Sequence, residues 1–483
     1  MATVEESSVT TEPVPTSEVP TSEAAGRTSR GGLRALLVRL HFYAGVLVGP
    51  FLLVVAASGF LYALAPTIEN VIYRDTLFVD SDSSTTVPVS EQVAAARQQQ
   101  PDGTLLAVRP APGPGDTTRV LFGVPGLGES ERLAVFVNPA NAEVTGEIAA
   151  YGSSGALPFR TWLSHLHRSL HLGEPGRIYS ELAASWLWVI ALAGLVLWFT
   201  GRRNGSRRKP QRSGSARRRT LSWHGALGTW VILAMLFLSA TGLTWSRFAG
   251  ENVGELKAAL DWTTPTVSTK LDATGHGGHE GHTMPAGADP AVTSWDQSLA
   301  SARSAQLDGP VEIAAPKKAG TTFVVQEIGK QWPTQADSVA VDPATGKVLD
   351  VQRFDDYPLA AKLSRWGIDG HMGLLFGLPN QLLLAMVAGV IVAMVIWGYR
   401  MWWQRRPTRG HAFRLGRPAR RGTWRGAPIP ALAALVVVAI GIGIFLPLFG
   451  VTLLAFLVLD LLVGLYRGRS SESTAEQGDE LLV

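Results

Sequence analysis

Apolar residues in this chain are gathered into long runs and do not follow the spacing of a surface helix. Six runs of about 20 residues each are long enough to cross a hydrocarbon core of roughly 30 Å as helices. They cover residues 42–64, 182–200, 225–245, 380–402, 428–446 and 451–467. Only a short Leu-Pro-Leu-Phe-Gly segment separates the last two, so they are expected to form a tight helical hairpin. The pattern predicts an α-helical integral membrane protein with six transmembrane helices.

Two long polar segments, residues 66–180 and 246–370, lie between the apolar runs and have matching patterns. Each begins with a short helical pattern, continues with strand-like alternation, as at residues 322–326, and ends in a turn. The turns at 137–144 and 341–348 contain the Asn, Asp, Pro and Gly residues that turns favour. Two small extracytoplasmic α+β domains are therefore predicted.

These patterns divide the chain into alternating membrane and aqueous parts. The predicted parts are a cytoplasmic tail (1–33), a first transmembrane helix (34–65), a first extracytoplasmic domain (66–180), a second transmembrane helix (181–200), a basic cytoplasmic loop (201–222), a third transmembrane helix (223–245), a second extracytoplasmic domain (246–370), a fourth transmembrane helix (371–403), a second basic loop (404–427), the terminal hairpin (428–467) and a cytoplasmic tail (468–483). The first tail is rich in Ser, Thr, Glu and Pro and is expected to be disordered.

The distribution of basic residues predicts the orientation of these helices. Residues 201–222 contain nine Arg and Lys residues and no acidic residue, and residues 404–426 contain eight arginines. By the positive-inside rule both segments lie in the cytoplasm, and Arg34 and Arg39 place the amino terminus there too. Six crossings then return the carboxyl terminus to the cytoplasm. We attribute the net charge of +4 to this topology in the lipid bilayer of the cytoplasmic membrane, and expect no nucleic-acid partner.

The first apolar run also resembles a secretory signal peptide, because basic residues precede it and Ala63-Leu64-Ala65 matches a cleavage site. Cleavage would remove His41. Pro66 at the first mature position and the length of the run both favour an uncleaved helix.

Composition narrows the possible chemistry. Hydrophobic residues make up 46% of the chain and charged residues 17%, which agrees with a membrane protein. The chain contains no cysteine, so disulfides, thiolate nucleophiles and Cys-ligated iron–sulfur clusters are excluded. The cytoplasmic segments contain no dinucleotide-binding glycine motif and no P-loop. Any redox centre must therefore be held by histidines and receive its electrons from a partner.

Two pairs of histidines occupy equivalent places in the two halves of the chain. His41 and His224 are each followed, at the same spacing, by a step of small residues and then an aromatic residue. His167 and His371 are each followed by Gly six residues later and Pro eight residues later, at a constant offset of 204. The pattern predicts a duplicated unit of two transmembrane helices joined by an extracytoplasmic domain.

The predicted topology places the two members of each pair at the same depth. His41 and His224 lie at the cytoplasmic start of outward-running helices, whereas His167 and His371 precede inward-running helices. Two imidazoles on facing helices can hold a six-coordinate haem, which suits electron transfer. The alternative is that each histidine only marks a membrane interface, where amphipathic rings are common.

One member of the outer pair is ambiguous. His171 lies one helical turn after His167 and could present its ring on the same face. The repeat equivalent of His171 is Leu375, so the symmetry of the repeat favours His167. His165 faces elsewhere on a helix and is expected to be structural.

Several of these stretches together resemble the PepSY-associated transmembrane family. They are Arg39-Leu40-His41 with Gly45, the stretch 166–176, Trp223-His224 and the Asp-Pro-x-Thr-Gly turn, and the similarity covers residues 34–405. The resemblance implies a membrane helix bundle that carries haem b, together with extracytoplasmic PepSY domains. Members of this family are often described as iron-regulated membrane proteins, and some resemble ferric-siderophore reductases.

Other charged residues near the membrane are weaker candidates. Arg39, Arg168 and Arg365 could pair with haem propionates or act as ordinary interfacial anchors. Asp460 lies within the last apolar run, where a charge is costly. It could serve protons or a partner helix, with Arg467 as a neutralising charge.

A separate signal lies in the second extracytoplasmic segment, at residues 275–284. His276, His279 and His282 recur at three-residue spacing in a glycine-rich stretch. Such a stretch could collect Cu, Zn or Fe, or it could be a solvated loop with incidental histidines.

The residues predict a transmembrane dihaem electron-transfer protein, and the resemblance implies an oxidoreductase that reduces ferric chelates outside the cytoplasmic membrane. Quinol or a separate dehydrogenase would supply electrons on the side of His41 and His224. The main alternative is a non-enzymatic, membrane-anchored protein whose PepSY domains bind a peptide, a protease or a metal complex. A weaker alternative is a transporter accessory protein, which would need polar residues lining the helix bundle.

Overall fold

The structure is a computed structural model, which describes residues 22–80, 85–202, 215–271, 294–318, 320–405 and 427–479. Its helices are α1 (Ser22–Leu47), α2 (Gly49–Ile72), α3 (Arg74–Leu77), α4 (Val89–Gln99), α5 (Pro158–Ser169), α6 (Glu174–Arg202), α7 (Ala216–Trp230), α8 (Ile232–Leu243), α9 (Phe248–Ala259), α10 (Ser294–Ser304), α11 (Leu359–His371), α12 (Gly377–Trp403), α13 (Ile429–Phe445) and α14 (Pro447–Asp479). Its strands are β1 (Thr104–Arg109), β2 (Thr118–Gly123), β3 (Glu131–Val137), β4 (Val144–Tyr151), β5 (Val311–Ala314), β6 (Phe323–Glu327), β7 (Ser338–Val341) and β8 (Val348–Gln352).

Four helical segments are long and apolar enough to cross a membrane. They are Gly49–Ile72, Glu174–Thr200, Gly377–Trp403 and Pro447–Tyr466. Helices α7 and α8 together would form a fifth span, although they are bent by 61° where they meet. Helix α13 is apolar but only 17 residues long. The described part of the chain therefore forms a helical membrane protein with four or five candidate spans, and the sixth stays a prediction.

The first predicted transmembrane helix is divided in the structure. Helix α1 ends at Leu47 and α2 begins at Gly49. Pro50, in the first turn of α2, has no N–H that could donate back to the carbonyl of Val46. That carbonyl instead accepts a hydrogen bond of 2.6 Å from the Tyr399 hydroxyl of α12. The break is therefore stabilised by a neighbouring helix.

The second half of the chain breaks at an equivalent place. Helices α7 and α8 meet at Val231, which lies seven residues after His224. Val48, between α1 and α2, lies seven residues after His41. In both halves a helix that carries a histidine thus precedes an apolar helix. Helix α2 packs against α12, and α6 packs against α8.

The strands form one antiparallel sheet in the order β4-β3-β2-β1-β5-β6-β7-β8. Strands β1 to β4 form one four-stranded meander, and strands β5 to β8 form another. The meanders join where β1 pairs with β5, with Ala107 opposite Ala314 and Val108 opposite Ile313. The two α+β domains predicted from the sequence therefore share a single sheet, because their first strands pair with each other.

Helices α4 and α10 cover one face of this sheet. Trp295 of α10 and Val93 of α4 are buried in a core with apolar side chains of both meanders. The carboxylate of Asp296 accepts hydrogen bonds from the backbone N–H groups of Val89, at 2.6 Å, and Ser90, at 3.1 Å. One half of the protein therefore caps the helix of the other half.

The helices that lead back to the membrane leave the sheet at its two edges. Helix α5 follows the edge strand β4, and α11 follows the opposite edge strand β8. Glu69 at the outer end of α2 accepts a hydrogen bond of 2.8 Å from the backbone N–H of Leu157, just before α5. It also forms an ion pair with Arg160 at 3.3 Å. These contacts fix the membrane helix against the sheet.

Candidate functional site

The histidines of the inner pair lie together in the helix bundle. His41 of α1 and His224 of α7 have ring centroids 6.2 Å apart, and the planes of the rings are inclined at 77°. Both side chains are partly buried. Residues that are far apart in sequence but equivalent in the two halves thus meet at one point.

The histidines of the outer pair also lie together. His167 of α5 and His371 of α11 have ring centroids 6.3 Å apart, with an angle of 50° between the rings. Gly173 and Gly377, six residues after these histidines, have φ values of +62° and +58°. Glycine accepts this left-handed conformation without strain, and in both halves it lets the chain turn from the histidine into the next long helix.

Helix α6 shows that the two pairs lie at different depths. The Nδ1 atom of His41 lies 3.0 Å from the carbonyl oxygen of Ile190. The carbonyl oxygen of His167 accepts a hydrogen bond of 3.2 Å from the Ser180 hydroxyl. Ten residues of α-helix correspond to about 15 Å along the helix axis, so the pairs occupy two distinct levels of the bundle.

Hydrogen bonds define the protonation of three of the four rings. The Nδ1 atoms of His41 and His167 face the backbone carbonyls of Ile190 and Val55, at 3.0 and 3.1 Å, so each Nδ1 must carry the proton. The Nδ1 atom of His371 lies 2.6 Å from the Thr241 hydroxyl oxygen.

The Thr241 hydroxyl donates its own hydrogen to the Phe237 carbonyl, at 2.7 Å, and so accepts from His371. In these three rings Nε2 therefore keeps its lone pair. A metal-bound histidine usually donates its other ring N–H to an acceptor in this way. Burial lowers the pKa of His167, which favours the same neutral form.

Glycines leave the space that two of the rings occupy. A Cβ atom at Gly194 would lie 3.1 Å from Cε1 of His41, and a Cβ atom at Gly59 would lie 3.0 Å from Cε1 of His167. These distances are shorter than normal carbon contacts. Glycine at these two positions therefore allows the imidazoles to pack directly against α6 and α2.

The spacing of the rings fits a metal shared by each pair. A metal lies about 2 Å from an imidazole nitrogen, so two imidazoles on opposite sides of one ion have ring centres roughly 6 Å apart. The observed separations are 6.2 and 6.3 Å. Neutral imidazoles on facing helices are also the donor set of bis-histidine haem. His41 with His224, and His167 with His371, could thus hold two haem groups.

The structure places His171 away from the outer pair, which resolves the ambiguity in the sequence. Helix α5 ends at Ser169, and His171 has a φ of +56°. Its ring lies against Trp162, with centroids 5.0 Å apart, and against His165, at 6.0 Å. His171 does not continue the helical face of His167, because the chain has already left the helix.

The arginines that could bind propionates have partners in the protein. Arg39 forms an ion pair with Asp460 of α14. Arg168 donates a hydrogen bond of 3.0 Å to the Tyr151 hydroxyl. Arg365 donates one of 2.8 Å to the carboxylate of Asp369, whose side chain is fully buried. A propionate role for these arginines stays a prediction.

Two other predicted features lie partly or wholly outside the described residues. The side chain of Arg467, which was predicted to neutralise Asp460, lies outside the described residues. The structure shows an ion pair between Asp460 and Arg39. His276, His279 and His282 also lie outside the described residues. Within the described residues, no group of three or more His, Cys, Asp or Glu side chains could hold a metal ion.

The sequence signals the surroundings of the outer pair only indirectly. The Tyr62 ring stacks on His167 with centroids 6.1 Å apart, and Trp245 lies 6.2 Å from His371. The Ser58 hydroxyl lies 3.2 Å from Nδ1 of His167, and the equivalent Thr241 hydroxyl lies 2.6 Å from Nδ1 of His371. These residues are the small-residue steps and aromatic residues that mark the repeat. Their equivalent spacing identifies these residues in the sequence. It does not show that they contact the histidines.

A family model described as the PepSY-associated TM region matches residues 38–405. No curated protein matches the chain.

Proposed function

The chain belongs to the PepSY-associated transmembrane family, and on this premise we propose that it is a dihaem electron-transfer protein that reduces ferric chelates, such as siderophore iron, outside the cytoplasmic membrane. The proposal is supported by the close approach of the imidazole rings of His41 and His224 and of those of His167 and His371. Two neutral imidazole pairs at two depths are what two bis-histidine haem groups require.

Each part of the site has a role in this proposal. Haem b, when bound, supplies one-electron chemistry at each pair. Each pair of imidazoles would ligate one haem, and the acceptors at Ile190, Val55 and Thr241 hold three of the rings in the tautomer that leaves Nε2 free. All four histidines are partly buried among the helices.

The proposed reaction transfers one electron to each ferric ion. A quinol or a separate dehydrogenase on the cytoplasmic side is oxidised, and Fe(III) outside is reduced to Fe(II). Hard oxygen donors hold Fe(II) less tightly than Fe(III), so reduction would release iron from a chelator.

The orientation in this proposal follows from the basic segments 201–222 and 404–426, which face the cytoplasm by the positive-inside rule. The inner pair then lies towards the cytoplasm, and the shared sheet lies outside. Both termini are cytoplasmic if α7 with α8 and α13 each cross the membrane.

The experiment that tests the proposal is an optical spectrum of the purified full-length protein in detergent, oxidised and then reduced with dithionite. His41→Ala and His371→Ala should each remove about half of the bound haem, because each breaks one axial pair. His165→Ala is the matched control, since His165 contacts Tyr151 and His171 and belongs to neither pair.

A colourless wild-type protein, after expression with ample haem, would overturn the proposal. The protein would then be better described as a non-enzymatic, membrane-anchored binding protein. Equal haem loss in the His165→Ala control would also argue against ligation by the two pairs.

A further inference from the structure

A cavity of about 380 Å³ lies where the sheet meets the outer ends of the helices. Its wall includes the end of α2, the turn after α11 and the side chain of Arg119 from β2. Gly373 and Leu374 of that turn follow His371 by two and three residues, so the cavity adjoins the outer histidine pair. Its volume is in the range of small-molecule sites.

The other arginines around this cavity are paired with carboxylates. Arg160 and Glu69, which both line the cavity, form an ion pair with each other at 3.3 Å. Arg109 of the neighbouring strand forms one with Glu312 at 2.6 Å. The remaining polar wall is largely neutral, with the amides of Asn70, Gln331 and Gln381 and the hydroxyls of Thr67 and Ser154.

Arg119 is the exception. Its guanidinium lies over the Phe136 ring, 5.3 Å from the centroid, and the described residues give it no hydrogen bond and no ion pair. Arg109 is directly opposite Arg119 in the pairing of β1 with β2, an arrangement of like charges that is unfavourable in a sheet.

The surroundings of Arg119 disfavour the positive charge of its guanidinium. Burial, followed by the charge of Arg109, lowers the pKa of Arg119 to about 10, and Glu69 and Asp116 offset this only in part. Arg119 is still protonated at neutral pH. A cation in the wall of a cavity, opposed by another cation and without a bonded partner, is stabilised by a bound anion.

We propose that the cavity binds a carboxylate group and that Arg119 supplies the charge that holds it. The planar guanidinium has donors that match the two oxygens of a carboxylate. The proposal rests on the proposed function in one respect: it names the substrate as an anionic, carboxylate-bearing ferric chelate that is held beside the outer histidine pair. A propionate of haem at that pair is the second source of the same chemistry.

The test is calorimetric titration of full-length protein in detergent with ferric citrate, with citrate and with its neutral triethyl ester. Citrate and ferric citrate should bind wild-type protein, whereas the ester should not. Arg119→Gln should weaken binding by about tenfold or more, because a charge-assisted hydrogen bond is lost, and Arg119→Lys should restore part of the affinity. Arg132→Gln is the matched control, since Arg132 lies on the same sheet, pairs with Glu312 and does not line the cavity.

The two sources of the carboxylate give different results. If a haem propionate occupies the site, Arg119→Gln should reduce haem retention or shift the reduction potential of one centre, and citrate should not bind the haem-loaded protein. Equal citrate binding by wild type and Arg119→Gln would overturn the proposal. So would an absence of citrate binding together with unchanged haem content and potential.

Failure of this proposal can be distinguished from failure of the proposed function, because the optical spectrum reports haem content, whereas the effect of Arg119→Gln on citrate binding or on haem reports the carboxylate site. A colourless protein that binds citrate through Arg119 would refute electron transfer and retain the carboxylate site. A protein that carries two haem groups but shows no effect of Arg119→Gln would refute the carboxylate site alone.

Discussion

At the scale of single residues, the position of an imidazole depends on the small residues and hydrogen-bonding groups that surround it. His167 packs against α2 at Gly59, next to the Ser58 hydroxyl that lies 3.2 Å from its Nδ1 atom. His41 packs against α6 at Gly194 in the same manner. A rigid ring held by one hydrogen bond and one close backbone contact has little freedom to rotate, which suits an axial ligand.

Gly59→Ala should displace His167 and selectively impair the outer pair. The new Cβ atom would lie 3.0 Å from Cε1 of the ring, so the imidazole must shift by several tenths of an ångström. We expect about half of the bound haem to be lost, while the inner centre is retained. Haem content per protein and the reduced optical spectrum provide the measurement.

Gly45→Ala is the control for this substitution, because a Cβ atom at Gly45 meets nothing within 4 Å. In a helix, alanine is favoured over glycine by up to roughly 1 kcal/mol, so this variant should be as stable as wild type or more stable, with full haem content. Equal haem loss in both variants would show that the contact with His167 is not the cause.

At the scale of helices, one ion pair attaches the terminal hairpin to the first half of the protein. Arg39 of α1 and Asp460 of α14 form this pair, and their side chains are 11% and 24% exposed. A carboxylate within an apolar helix is costly without a partner. Asp460 is therefore best explained as the residue that docks α14 against the helix of His41.

Arg39→Gln should destabilise the protein by roughly 2 kcal/mol, since it removes the partly buried ion pair between α1 and α14. The apparent melting temperature in detergent measures the effect. The double variant Arg39→Leu with Asp460→Leu should recover part of the loss, because apolar side chains replace both charges. Arg34→Gln, an exposed arginine on the same helix, is the control and should melt like wild type.

These helices also show what can be predicted from a sequence. Equivalent spacing singled out the histidines whose rings lie near each other in the structure, His41 with His224 and His167 with His371. Arg467, a neighbour in sequence, could be proposed as a charge near Asp460 and stays a prediction, whereas the ion pair with Arg39 depends on tertiary packing that the sequence does not show. The division between α1 and α2 at Val48 was missed because Pro50 lies inside a continuous apolar run and the hydrogen bond from Tyr399 is not visible there.

At the scale of the whole molecule, the shared sheet joins the two halves. The patterns of residues 66–180 and 246–370 predicted the strands of both meanders but not the pairing of β1 with β5. Strand pairing between distant segments depends on edges that become available only after each meander has formed. The Asp296 carboxylate reinforces this junction by capping α4 from the other half.

Asp296→Ala should weaken the junction of the halves by about 1 kcal/mol, the usual effect of losing a helix cap. The backbone N–H groups of Val89 and Ser90 would lose their acceptor. Thermal unfolding followed by circular dichroism should show a lower melting temperature than that of Asp308→Ala, a control at an exposed aspartate. Identical melting of the two variants would argue against a role for the cap.

The edge positions of β4 and β8 have a mechanical consequence. Helix α5 extends from one edge of the sheet and α11 from the other, and the two helices converge on His167 and His371. The eight-stranded sheet therefore connects the two imidazoles through α5 and α11. Flexing of the sheet, including flexing caused by a molecule that binds to it from outside, would change the distance between the two rings.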